Sequence, residues 1–116
     1  MNFTFSKNDR IRKGGEYSYL KYNGKVFKTR KLIFNYTESE HARLGVIVTK
    51  KVGNAVFRNR VRRWCREVFR VKRSLLIKSI DLVIIPRCSD LSFDSIERDF
   101  LYFMRWYNEK ITDKPD

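Results

Sequence analysis

The stretch RLGVIVTKKVGNAVFRNRVRRWCREVFRVKR, residues 43–73, changes periodicity partway along, and that change decides the fold. Its first part, Arg43-Leu44-Gly45-Val46-Ile47-Val48-Thr49, is apolar and β-branched, the composition of a strand. From about Asn54 to Arg73 the apolar residues recur at helical spacing instead. Phe57, Val61, Trp64, Cys65, Val68 and Val71 fall within an arc of roughly 120° on a wheel of 3.6 residues per turn, which predicts a core-facing stripe. Arg58, Arg62, Arg66 and Arg70 fill the opposite arc with Asn59, Arg63 and Arg73, leaving Arg60 and Glu67 on a flank. Between strand and helix, Gly53 lets the backbone turn sharply after Lys50-Lys51, and the helix N-terminus behind it adds N–H donors suited to an anion.

Working outward, Val26-Phe27 and Lys31-Leu32-Ile33-Phe34-Asn35-Tyr36 read as strands, with Asn23-Gly24 as a turn signal before the first. Asp81-Leu82-Val83-Ile84-Ile85 is a continuous apolar run ending at Pro86, as suits a central strand buried on both faces. Ile96, Phe100, Phe103, Met104 and Tyr107 mark a second amphipathic helix, with Asp94 and Glu97 spaced as a capping box. A short helix is predicted near residues 6–12 or 15–22. The order strand, strand, strand, helix, strand, helix predicts an α/β (α+β) two-layer sandwich, with helices packed on a small sheet of about four strands. A single domain over 1–116 with a short flexible tail at 111–116 is expected, since 116 residues hold neither an internal repeat nor a Pro/Gly-rich linker.

The charge is large and unevenly placed. Lys and Arg number 26 against 13 acids, a formal charge of +13. Residues 43–78 hold twelve Lys/Arg and one acid, Glu67, whereas residues 79–116 hold five Lys/Arg and eight acids. A solubility surface would intersperse the signs, so a dedicated polyanion-binding face is expected, with nucleic acid favoured over an anionic membrane. Arginine suits RNA in particular, because its planar fork pairs bidentately with phosphate and stacks on bases. The two cysteines, Cys65 and Cys88, lack a disulfide or metal spacing, and the N-terminal residues carry no long apolar stretch; a soluble protein of the reducing cytoplasm is expected.

Catalytic chemistry is poorly supplied. His41, the only histidine, sits in the acidic turn Glu38-Ser39-Glu40-His41 with no partner for acid–base work. Asp90, Asp94, Glu97 and Asp99 could be read as a metal-nuclease cluster, but capping and solvation account for them equally well. Cys65 lies on the apolar arc and Cys88 after the apolar strand, as expected of inert thiols.

From Lys50 to Glu67 the sequence closely resembles the RNR signature of the bacterial ribonuclease P protein subunit family. Arg10-Ile11-Arg12-Lys13, Glu16-Tyr17, Arg43-Leu44-Gly45-Val46 and Asp81-Leu82-Val83 extend the resemblance along most of the chain. It implies a protein that binds a large catalytic RNA, the two together removing the 5′ leader from precursor tRNA, with hydrolysis carried out by the RNA and its Mg²⁺ ions and no cofactor held tightly by the protein. By position it assigns Lys50, Lys51, Asn54, Arg58, Asn59, Arg60, Arg62, Arg63 and Arg66 to the catalytic RNA. It assigns Tyr17, Lys21 and Asn35 to the leader, in a cleft between the sheet and the arginine helix. Lys21 and Asn35 stand where the family commonly has aromatics, so the leader contacts are expected to be more polar, or to use Tyr19, Tyr22 or Tyr36. The resemblance also implies a left-handed strand–helix–strand crossover, against the usual rule. A small ribosomal or RNA-chaperone protein would share the composition, yet has no reason to set Gly53, Asn54, Ala55 and Asn59 among its arginines. An independent metal nuclease would need the acidic cluster to be real.

Overall fold

A computed structural model describes residues 24–112. Four strands, β1 (Lys25–Lys28), β2 (Leu32–Glu38), β3 (Arg43–Val46) and β4 (Ile80–Pro86), form one sheet, with helix α1 (Ala55–Lys72) between β3 and β4 and helix α2 (Phe93–Thr112) after β4. The sheet order is β1-β2-β4-β3. β1–β2 and β2–β4 are antiparallel, whereas β3 and β4 run parallel, and α1 supplies the crossover that parallel neighbours need. The predicted short helix near residues 6–12 or 15–22 lies outside the described residues.

Alternation along the strands assigns the two faces. Leu32, Phe34 and Tyr36 of β2, Leu44 of β3 and Leu82 and Ile84 of β4 join one core with Val61, Cys65, Val68 and Phe69 of α1 and Ile96, Phe100, Phe103, Met104 and Tyr107 of α2. Much of this core is aromatic. Phe103 stacks on Phe34 at 4.7 Å between ring centroids and meets Tyr36 edge-on at 5.4 Å. Phe69 of α1 meets Phe100 of α2 edge-on at 6.2 Å, joining the two helices over the sheet. The opposite sheet face carries Ile33, Asn35, Arg43, Asp81 and Val83. There Arg43 donates through Nε to Asp81 Oδ1 (3.1 Å) and through Nη2 to Oδ2 (2.6 Å), tying β3 to β4.

Several expectations are corrected. β3 is assigned only to Val46, although Ile47 N–H still donates to the Ile84 carbonyl. Val71 is exposed and Phe69 takes its place in the core. Residues 69 and 71 both lie near the edges of the stripe, and the docking of α2 over Phe69 selects between them. The start of α2 is capped two residues before the predicted box: Ser92 Oγ accepts from Ser95 N–H, and Ser95 Oγ accepts from Ser92 N–H. Asp94 is exposed inside the first turn. The helix continues to Thr112 with Ile111 packed on the core, so the first two residues of the expected tail are helical.

Candidate nucleic-acid interface

Leaving β3, the chain passes through a single 3₁₀ turn at Lys50–Val52 that buries Val52 in the core and leaves Lys50 and Lys51 exposed. Gly53 follows at φ 157° and ψ −168°. A Cβ there would stand 2.8 Å from Phe57 Cδ2, so only glycine fits without displacing that ring. Asn54 then caps α1, its Oδ1 accepting from Phe57 N–H at 2.8 Å. The first turn of α1 contains no acid. Lys50, Lys51 and the N–H groups of a capped helix start are therefore gathered where an anion is favoured.

Along α1 the burial of Val61, Cys65, Val68 and Phe69 fixes which arc faces out. Asn59, Arg62, Arg63, Arg66, Glu67 and Arg70 line a groove of about 390 Å³ on that side. Within it Arg62 Nη1 donates to Asn59 Oδ1 at 2.8 Å, holding both side chains over the groove. Arg70 donates through Nε (3.2 Å) and Nη2 (2.5 Å) to the Glu67 carboxylate. These bonds hold the Glu67 carboxyl below its usual range and push Arg70 up. The only acid of the helix is thus engaged by an arginine next to it on the surface.

The structure divides the predicted RNA-binding residues. Asn59, Arg62, Arg63 and Arg66 meet in the groove, and Lys50, Lys51 and Asn54 stand at the helix entrance. Arg60 is exposed, but two residues from Arg62 it points some 160° away around the helix, at 100° per residue. Arg58 is placed differently from its expected outward arc: it is half-buried, and its Nε is buried without a partner among the described residues. Arg58 lies close to the arc of Cys65 and Phe69, so its stem packs and only its tip can reach out. Arg70, absent from the residues assigned by resemblance, belongs to the groove; its place in the four-residue arginine spacing was the signal.

Of the predicted leader contacts, Tyr17 and Lys21 lie outside the described residues, as do the alternatives Tyr19 and Tyr22. Asn35 sits on the sheet face turned away from α1 and α2, paired across to Val26 and Val83. The expected cleft between sheet and arginine helix therefore does not contain it. Its Oδ1 is buried and finds no partner among the described residues, a polar atom whose burial costs free energy until something donates to it. Tyr36 is a core residue at 2% exposure, wedged against Phe103 and Tyr107, which leaves no ring face for a leader base.

Two of the four acids have structural partners. Asp99 accepts from Thr29 Oγ1 at 2.8 Å, linking α2 to the β1–β2 turn, and Asp90 pairs with Lys31 at 3.4 Å. Among the described residues no group of three or more His, Cys, Asp or Glu is placed to hold a metal ion. His41 is exposed, its backbone N–H donating to Ser39 Oγ. Burial pushes the Cys65 thiol up to about 12, the state of an inert core sulfur. Among the described residues no helix is long and apolar enough to cross a membrane.

A four-stranded mixed sheet with two helices on one face, one of them arginine-lined and entered through a lysine turn, defines a small basic nucleic-acid-binding protein of the α+β class. The family model for Ribonuclease P matches residues 5–108, and the chain belongs to that family. It is 36% identical over 107 residues to the Ribonuclease P protein component of Finegoldia magna, covering 90% of this chain and 95% of that protein. With the component of Clostridium acetobutylicum the identity is 39% over 97 residues, 78% and 82% of the two chains. Among solved structures, the RNase P protein of Staphylococcus aureus superimposes with a TM-score of 0.77 at 28% identity, covering 86% of this chain and 95% of that one. The RNase P protein of Thermotoga maritima gives 0.74 at 26% identity, with coverage of 84% and 96%.

Proposed function

We propose that this chain is the protein partner of a catalytic ribonuclease P RNA, binding it through the α1 groove and the Lys50–Asn54 turn. In that complex it assists removal of the 5′ leader from precursor tRNA. The observation that carries the reading is the groove itself: four arginines and Asn59 converge on one outward face, with one acid among them that Arg70 engages. Such a face repels itself unless phosphates occupy it, and each phosphate it neutralises releases counterions from the RNA. Hydrolysis belongs to the RNA and the Mg²⁺ ions the RNA holds. The protein's own contribution is to offset phosphate repulsion between two RNAs, which raised Mg²⁺ partly replaces.

The leader lies, in this reading, across the sheet face opposite the helices, where it meets Asn35; Tyr17 and Lys21 are its further contacts by resemblance. Asn35 Oδ1 finds no donor among the described residues, which supports that placement, since a base edge or ribose hydroxyl can donate to such an atom once the leader approaches. Single-turnover cleavage of precursor tRNA by the cognate RNA, with and without protein at moderate Mg²⁺, tests the proposal. The protein should accelerate cleavage and do nothing alone; protein-only cleavage surviving rigorous RNA removal would overturn it. Tyr17→Ala and Asn35→Ala should each weaken holoenzyme affinity for precursor tRNA and leave mature tRNA unchanged. Equal losses for both RNAs would remove those residues from the leader path.

A further inference from the structure

On the side of the molecule formed by β1 and the solvent face of α2, a second surface combines exposed aromatics with cations. Phe27 of β1 packs against Trp106 (4.6 Å between ring centroids) and Tyr102 (5.7 Å) of α2. The ring of Tyr102 remains 56% exposed, although α2 has a buried side with room for large apolar residues. The Arg105 guanidinium lies 5.7 Å over the Tyr102 ring and the Lys110 ammonium 5.0 Å over the Trp106 ring. Lys25 is exposed two residues before Phe27, on the same side of the strand. Arg98, Leu101, Tyr102 and Arg105 continue along an open depression of about 570 Å³ that meets Asp94 and Glu97 only at its N-terminal end. Past Arg105 along α2 the next acid is Glu109, exposed and followed by Lys110.

We propose that this surface is a second, sequence-tolerant binding platform for single-stranded RNA, separate from the α1 groove. Bases stack on Tyr102 and the edge of Trp106, and phosphates run along Arg105, Lys110 and Lys25, away from Asp94 and Glu97. Every base offers a π-face to an aromatic, and arginine beside the ring adds both stacking and charge. The charge complementarity singles out a polyanion. A protein strand added at β1 is disfavoured because Lys25 and Lys28 occupy that edge, as charged residues do where strand addition is to be avoided.

The test uses the full chain with Trp64→Phe, which leaves Trp106 as the only tryptophan, and titrates it with octauridylate. Stacking should quench Trp106 emission saturably. Tyr102→Ala should weaken the binding read by this signal by about 5- to 100-fold, Tyr102→Phe should restore it, and Arg105→Gln should flatten its salt dependence. Unchanged Trp106 emission while the oligonucleotide binds, or equal affinity for Tyr102→Ala and its parent, would overturn the platform. Concentration-dependent self-association abolished by Tyr102→Ala would overturn it as well, assigning the face to a second copy of the chain.

Discussion

Substitutions at Asn54 separate the structural role of the helix entrance from its binding role. Asn54 Oδ1 satisfies the Phe57 N–H at 2.8 Å, and Arg58 N–H bonds the Asn54 carbonyl at 2.9 Å, so this residue holds the first turn of α1. Asn54→Ala removes the side-chain acceptor and should cost about 1 kcal/mol, lowering Tm by roughly 4 °C for a chain of this size. Asn54→Asp keeps an acceptor in place and adds a negative charge at a helix N-terminus, which should leave Tm equal or slightly raised. If phosphates approach the Lys50–Asn54 turn, that same carboxylate repels them. Affinity for the catalytic RNA should then fall although stability does not, and the slope of log K against log salt should shrink by about 0.7–0.9 for a lost phosphate contact. Calorimetry and filter binding on the three proteins give both quantities. A stable Asn54→Asp variant that binds the RNA with wild-type affinity and slope would refute the placement of phosphate at this turn.

Gly53→Ala brings a methyl group to 2.8 Å from Phe57 Cδ2 and should destabilise by about 1–3 kcal/mol, seen as a lower denaturant midpoint; Phe57→Leu in the same chain should recover part of the loss. Arg43→Met leaves the Asp81 carboxylate, only 9% exposed, without its bidentate partner, and should cost about 3 kcal/mol in urea unfolding. Because burial raises the Cys65 pKa from 9.0 to about 12, the fold favours the neutral thiol. That stabilisation is complete below about pH 9 and is lost as pH rises from 9 toward 12; iodoacetamide at pH 8.5 should therefore label Cys65 only after unfolding.

Much of the fold was legible because burial on both faces and burial on one face leave different patterns. β4 reads as an unbroken apolar run and is buried at Ile80, Asp81, Leu82, Val83 and Ile84. β2 alternates, with Leu32, Phe34 and Tyr36 inward. The arginine side of α1 was legible from the four-residue spacing of its cations. Its edges were not: a wheel gives Val71 and Arg58 positions near a boundary, and the neighbour that settles each, α2 over Phe69 and the core beside Arg58, is remote in sequence. The cap of α2 was missed because Ser92–Ser95 and Asp94–Glu97 offer the same three-residue spacing, and only the packing of Phe93 on the core sets which one starts the helix. Insertion of β4 between β2 and β3, and with it the Arg43–Asp81 pair, depends on long-range pairing that no local pattern encodes. The resemblance places Asn35 in the cleft without saying which sheet face it occupies; its orientation away from α1 follows from alternation with the inward Phe34 and Tyr36.

The central claim, that the outward groove of α1 is the seat of the catalytic RNA, is tested most directly by the salt dependence of affinity. Arg62 and Arg63 both line the groove and neither side chain belongs to the core, so Arg62→Ala/Arg63→Ala should fold normally. Dissociation constants for the cognate catalytic RNA, measured over a range of monovalent salt, should show weaker binding by the double variant. The slope of log K against log salt should be shallower by about 1.4–1.8, the loss of two phosphate contacts. A slope and affinity equal to those of the unaltered protein would place the RNA elsewhere and contradict the account.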